Sequence, residues 1–189
     1  SYLSLIVVER IFRSAGLRII DVEELPTHGH SLRVYGCLET ASWPTSPAVA
    51  RVLDEERAKG VDTAAFYDGF QTQAIRIKND LLDSLLKAMH EGKRVIGYGA
   101  AAKGNTLLNY AGIRPDLIPA VFDAAPSKQN RYLPGSHIPV MPPAEIGKAR
   151  PDYVLILPWN LSAEIMLQLN ELRAAGTRFV IAVPHLSIV

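Results

Sequence analysis

Gly97, Gly99 and Ala102 fall in the run GYGAAAKGN at positions 97–105, a spacing that matches the G-x-G-x-x-G/A turn that brings a backbone against a phosphate. Glycine lets such a turn tighten and approach its ligand, and the N–H groups that open the following helix present about half a unit of positive charge. Ala101 and Gly104 lie in the same turn, and Lys103 and Asn105 add a point charge and an amide donor. Asp123 ends the next apolar run, where dinucleotide-binding turns keep the acid that holds a ribose. A strand-to-helix turn also needs glycine simply to turn, so the spacing alone leaves a phosphate-binding and a structural reading open.

Two more segments hold reactive or recognition-grade side chains. The stretch DAAPSKQNRYLPGSHIPV (123–140) carries Lys128, Arg131, Tyr132 and His137 among three prolines. Loops of that length inside a compact α/β domain are commonly binding loops, although a proline-rich loop can also cap a sheet edge. Trp159 and Asn160 follow an apolar run ending at Pro158, at the strand end where open α/β sheets place ligands. Trp159 would stack on a base or sugar there, or be buried against a helix. His28 and His30 bracket Gly29, but two histidines without a third ligand do not make a metal site, and none is expected.

These residues need a scaffold, and the periodicity supplies one. Leu5, Val8, Ile11, Phe12 and Ala15 recur at helical spacing after Ser4, and 17–25 and 31–39 read as adjacent strands. Ser46 and Pro47 announce a helix that ends at Gly60. From about 63 to 91 apolar residues recur every three or four positions without proline, predicting one helix roughly 40 Å long. From Lys93 the pattern alternates. Strands are expected at 94–99, 117–123, 153–158 and 178–184, with helices at 102–110, 143–149 and 161–175. Apolar runs without alternation, separated by helices, predict an α/β fold: a Rossmann-like parallel sheet with flanking helices. The expected divisions are 1–45, a helical connector over 46–92, and the Rossmann-like domain over 93–189.

With 48% hydrophobic residues, 21% charged and a formal net charge of +1, the composition excludes a nucleic-acid surface and leaves a small-molecule or protein partner. No apolar run approaches the roughly 20 residues that span a bilayer. Cys37 is the only cysteine, which fits a reducing, cytoplasmic setting. The chain opens abruptly within a helical pattern and reads as part of a longer protein.

The runs GYGAAAKGNTLLNYAG, DAAPSKQNRYLPGSHIPV and VLILPWNLSAEI, with SYLSL and THGHSLRVY before them, closely resemble the C-terminal domain of the sugar C-methyltransferases. That family uses S-adenosylmethionine to methylate keto-deoxy sugars carried on a nucleoside diphosphate. The resemblance implies that 1–45 ends a methyltransferase core and that S-adenosylmethionine is bound by an upstream methyltransferase domain. It also implies that the 97–105 turn and the 128–137 loop form a wall of the sugar-nucleotide cleft. Tyr2 and His28 are then the residues expected nearest the chemistry, and this chain alone is expected to be inactive. Where the family pattern reads HGGSLR, His30 replaces a glycine. An NAD- or CoA-binding regulatory or oxidoreductase module is the rival reading, and a scaffold that has lost its ligand a third.

Overall fold

The computed structural model describes residues 3–26 and 31–189. Tyr2, His28 and His30 therefore lie outside the described residues. The chain divides into two compact units, 1–70 and 71–189.

The first unit packs two helices on a two-stranded antiparallel ribbon. Helix α1 (Leu5–Ser14) starts with the Ser4 hydroxyl accepting from the Val7 N–H at 3.4 Å. Its other first-turn donors are met from outside the helix. The carboxylate of Glu56 accepts from the Leu5 and Ile6 N–H groups at 2.7 and 2.8 Å, which places a negative charge at the positive end of α1. Strands β1 (Leu17–Leu25) and β2 (Ser31–Leu38) pair with a bulge between Ile19 and Asp21. Helix α2 (Pro47–Ala58) is capped by Ser46 with Pro47 in its first turn, as the sequence predicted. Leu5, Ile6, Ile19, Val22, Val49, Val52 and Leu53 form the core. Ile11 shares the helical apolar spacing yet is 48% exposed, whereas Ile6, outside that spacing, is buried.

The single helix expected over 63–91 is interrupted. One 3₁₀ turn (Ala64–Tyr67) gives way to extended backbone at Asp68 and to Gly69 at φ +82°, and only then does α3 (Phe70–His90) run for 21 residues. A left-handed glycine stops a helix whatever the apolar pattern around it.

In the second unit, Leu81, Leu85 and Ala88 of α3 enter a core against a seven-stranded sheet. The remaining elements are β3 (Val95–Tyr98), α4 (Ala102–Tyr110), β4 (Val121–Phe122), β5 (Arg131–Tyr132), β6 (Pro139–Met141), α5 (Ile146–Ala149), β7 (Tyr153–Ile156), α6 (Ser162–Gln168), α7 (Asn170–Ala174), β8 (Arg178–Ile181) and β9 (Ser187–Ile188). The strand order is β5-β6-β4-β3-β7-β8-β9, with the five inner strands parallel and an antiparallel strand at each edge. Helices α3 and α4 share one core with Val95, Val121, Leu155 and Val180, while α5 and α6 share another with Ile96, Phe122, Ile156 and Phe179. Alternate residues of each strand thus feed opposite faces, both of them apolar, which is why the runs showed no alternation. The helix expected over 161–175 is split at Leu169, where the chain tightens and buries that side chain.

After β6 the chain returns to the other side of β3, so β3 is the point where strand order reverses and a crevice opens at the C-terminal strand ends. The opposite end is closed by Asp152, whose carboxylate accepts from the Arg94 N–H at 2.8 Å and from Lys93 Nζ at 3.0 Å. Those donors, the Arg94 N–H first, hold Asp152 below the usual aspartate value. A depressed folded pKa contributes stability above the unfolded value that is lost as pH falls through the folded one. Asp152→Asn should therefore melt with a smaller loss of Tm between pH 7 and pH 3 than the parent, and an equal loss in thermal scans would refute this role.

Candidate functional site

Three glycines shape the crevice, each for a different steric reason. A Cβ on Gly97 would come within 2.8 Å of Val121 Cγ2 on the neighbouring strand. Gly99 has φ +84°, and a Cβ there would meet Pro158 Cδ at 2.5 Å. Gly104, in the first turn of α4, lies so close to β7 that a Cβ would be 2.5 Å from Leu157 Cβ. In the fingerprint the third small residue provides close helix–sheet packing. Ala102 has the matching spacing, but here Gly104 makes that approach.

Asp123 is buried beneath this turn, and its carboxylate is fully engaged by the protein. Oδ2 accepts from the Ala100 N–H at 2.6 Å and from Lys128 Nζ at 3.2 Å, and Oδ1 accepts from the Ala125 N–H at 2.8 Å. Its backbone carbonyl accepts from Gln129 Nε2 at 2.9 Å. The residue placed by sequence where an acid would hold a ribose thus staples the glycine turn to the start of the 123–140 segment. Tyr98 is buried nearby, and burial, with a smaller contribution from the charge of Asp123, pushes its phenol pKa up.

The 123–140 segment is both an edge and a wall. Its second half forms the β5–β6 hairpin at the sheet margin, while Lys128, Arg131 and Tyr132 turn toward the start of α4. Between them and Ala100, Ala101, Ala102 and Asn105 lies an open cleft of about 530 Å³. Asn105 Oδ1 is buried there without a hydrogen-bond partner, and Tyr132 is two-thirds exposed at the rim. The N-cap residue of α4, Ala101, makes no side-chain cap, so no side chain of its own covers the first-turn donors of this nine-residue helix.

Lys103 points away from that cleft toward the end of β7. Its Nζ donates to Asn160 Oδ1 and lies 4.7 Å from the centre of the Trp159 ring, a cation–π contact. Burial lowers its pKa, and no carboxylate is paired with it among the described residues. The structure thus joins Lys103, Trp159 and Asn160 into one group on the β7 side of α4, and Asn105, Lys128, Arg131 and Tyr132 into another on the β4 side, with Gly97, Gly99, Ala101 and Gly104 between them. The sequence alone does not mark Ala100, whose N–H reaches Asp123, or Asn109, whose amide reaches the Pro134 carbonyl, because neither residue type marks a site by itself. Among the described residues no group of three or more histidine, cysteine, aspartate or glutamate side chains could hold a metal, and no helix is long and apolar enough to cross a membrane.

A family model described as the C-methyltransferase C-terminal domain matches residues 26–184. The chain is also 35% identical over 185 residues to the C-methyltransferase NovU of Streptomyces niveus, an alignment that covers 98% of this chain and 44% of that protein. The chain therefore spans less than half the length of the curated relative it matches.

Proposed function

The chain belongs to the C-methyltransferase C-terminal domain family, and from that premise we propose that it forms the acceptor side of an S-adenosylmethionine-dependent C-methyltransferase acting on a nucleoside-diphosphate keto-deoxysugar. The observation that carries this reading is the cleft, which presents Lys128 and Arg131 beside the open start of α4 while the buried acid next to it, Asp123, is already saturated by protein donors. Cations and uncapped N–H groups suit a diphosphate.

An adenosine cofactor at such a turn needs a carboxylate free to take its ribose hydroxyls. The turn offers none, so the residues present do not fit S-adenosylmethionine here, and its binding is assigned to an upstream methyltransferase domain. The same lack weighs against a nicotinamide cofactor. When bound there, S-adenosylmethionine supplies an electrophilic methyl group. This chain's contribution is to bind the sugar nucleotide and hold the carbon beside its keto group in line, which converts an encounter between two ligands into a positioned one. Removal of the proton from that carbon needs a base within hydrogen-bond reach. Tyr2 and His28 are the residues of this chain proposed nearest to it. A cytoplasmic setting belongs to the same proposal, supported by the unpaired Cys37.

Thermal melts of the chain with a thymidine or uridine diphosphate sugar, NADH or S-adenosylmethionine separate the readings. Only the sugar nucleotide should stabilise, by about 2.7 kcal/mol at a hundred times its dissociation constant. Tight NADH binding with no response to the sugar nucleotide would favour the regulatory or oxidoreductase module. In the complete enzyme Arg131→Ala should raise the Michaelis constant for the sugar nucleotide about tenfold to a hundredfold, the loss expected for one charge-assisted contact. An unchanged constant would remove Arg131 from the site.

A further inference from the structure

The cleft has two walls, and one side chain that lines neither ties them together. Asn109 lies one helical turn beyond Asn105 on α4. Its Nδ2 donates to the backbone carbonyl of Asn105 and to that of Pro134, each at 2.9 Å. Asn105 belongs to the α4 wall and Pro134 to the facing wall. On the other side of the amide, a Cβ on Gly135 would approach Asn109 Oδ1 to 2.2 Å, so only a residue without a side chain lets the amide reach in. Gly135 also has φ +80°. The turn it enters is closed on itself: the Leu133 N–H donates to the Ile138 carbonyl at 2.9 Å and the His137 N–H to the Leu133 carbonyl at 3.0 Å, and Arg114 donates to the Gly135 carbonyl. Holding Pro134 therefore holds the segment that follows Arg131 and Tyr132.

We propose that Asn109 is a positioning residue for the ligand of this cleft. It fixes the distance between α4 and the 131–134 wall, and so the presentation of Arg131. The proposal rests on the reading of the cleft as a nucleotide site. Asn109 is exposed and asparagine is a poorer helix former than alanine, so α4 gains nothing from it on its own account.

The test titrates thymidine diphosphate into the 189-residue chain by calorimetry and follows amide exchange at Leu133 and His137. Asn109→Ala should bind about three- to tenfold more weakly, the range for a lost hydrogen bond or two, with a nearly unchanged melting temperature and faster exchange at both amides. Asn109→Asp, which keeps the shape but sets an acceptor against two carbonyls, should lose at least as much, and Asn109→Gln, which keeps the donor, should recover part. If Arg131→Ala loses affinity while Asn109→Ala and Asn109→Asp bind like the parent, the proposal fails and the reading of the cleft stands. An affinity loss that merely tracks a large drop in melting temperature makes Asn109 a structural residue and also overturns the proposal. A parent chain that takes up no thymidine diphosphate, or an Arg131→Ala variant that binds it unchanged, refutes the reading itself and the proposal with it.

Discussion

Gly99→Ala is expected to cost about 2 to 4 kcal/mol, and Gly104→Val at least about 3 kcal/mol, while Gly112→Ala costs only about 1 kcal/mol. All three remove a glycine from the same unit, but what a new Cβ would meet differs. At Gly112, with φ +68°, nothing lies within 4 Å, so only the left-handed conformation is penalised. At Gly99 that penalty is joined by collision with the Pro158 ring, whose Cδ and Cγ would be 2.5 and 2.6 Å away. Pro158 cannot rotate aside, because its ring fixes its own backbone. Gly104 is helical, and a side chain there would favour α4 by about 1 kcal/mol if space were available. The atom it would strike is Leu157 Cβ, which is bonded to the backbone beyond β7 and can yield only if helix and sheet part. Valine adds two methyl groups to that conflict. Urea or thermal unfolding of the three variants ranks them. A Gly99→Ala chain no less stable than Gly112→Ala would show that the Pro158 contact is easily relieved and the turn has slack.

The same turn shows how far the residues could be read without coordinates. GYGAAAKGN announced a strand-to-helix turn, and β3 and α4 meet there, because glycine spacing and an apolar run are local signals. Inner strand β6 closes a proline-rich segment that shows no strand periodicity, but the other four parallel inner strands were legible, since only a sheet covered on both faces has strands such as Tyr153–Ile156 with no polar alternate. The edge strands β5 and β9 were not. Each is two residues long, too short to show a period, and each exists only because a neighbouring strand offers unpaired backbone groups. The break at Gly69 was open to view in the sequence, but the helical spacing on both sides of it outweighed one glycine.

Site residues divided along similar lines. Lys103, Trp159 and Asn160 were singled out for separate reasons, and their meeting follows from β7 lying beside β3, a long-range pairing that no local pattern encodes. The steric role of Gly104 was hidden for the same reason. Its partner Leu157 is far away in sequence, and the fingerprint directed attention to Ala102. Asn109 drew no notice because a surface asparagine on a helix is ordinary until its partner Pro134 is known.

Asp123→Ala is expected to destabilise the chain by about 2 to 4 kcal/mol and to disorganise the cleft, whereas Lys128→Ala should change stability by less than about 1 kcal/mol. The carboxylate is buried and accepts from two backbone N–H groups, of Ala100 and Ala125, which the variant would leave without their charged acceptor. Each such bond to a charged group contributes about 1.5 to 3 kcal/mol, and water can relieve part of the loss because the donors are only partly buried. The third partner matters less. The Lys128 side chain is 46% exposed, and an ion pair so well solvated contributes little. Because Ala100 lines the α4 wall and Ala125 starts the segment that carries Lys128 and Arg131, loss of the staple should weaken thymidine diphosphate binding together with stability. Asp123→Asn keeps the shape and one acceptor but turns an amide N–H toward one backbone donor, so it should fall between the parent and the alanine variant. Melting curves and titrations on the same samples decide the matter. If Asp123→Ala melts like the parent yet no longer binds, the carboxylate acts on the ligand directly, and the ribose-holding role that would readmit a dinucleotide must be restored to it.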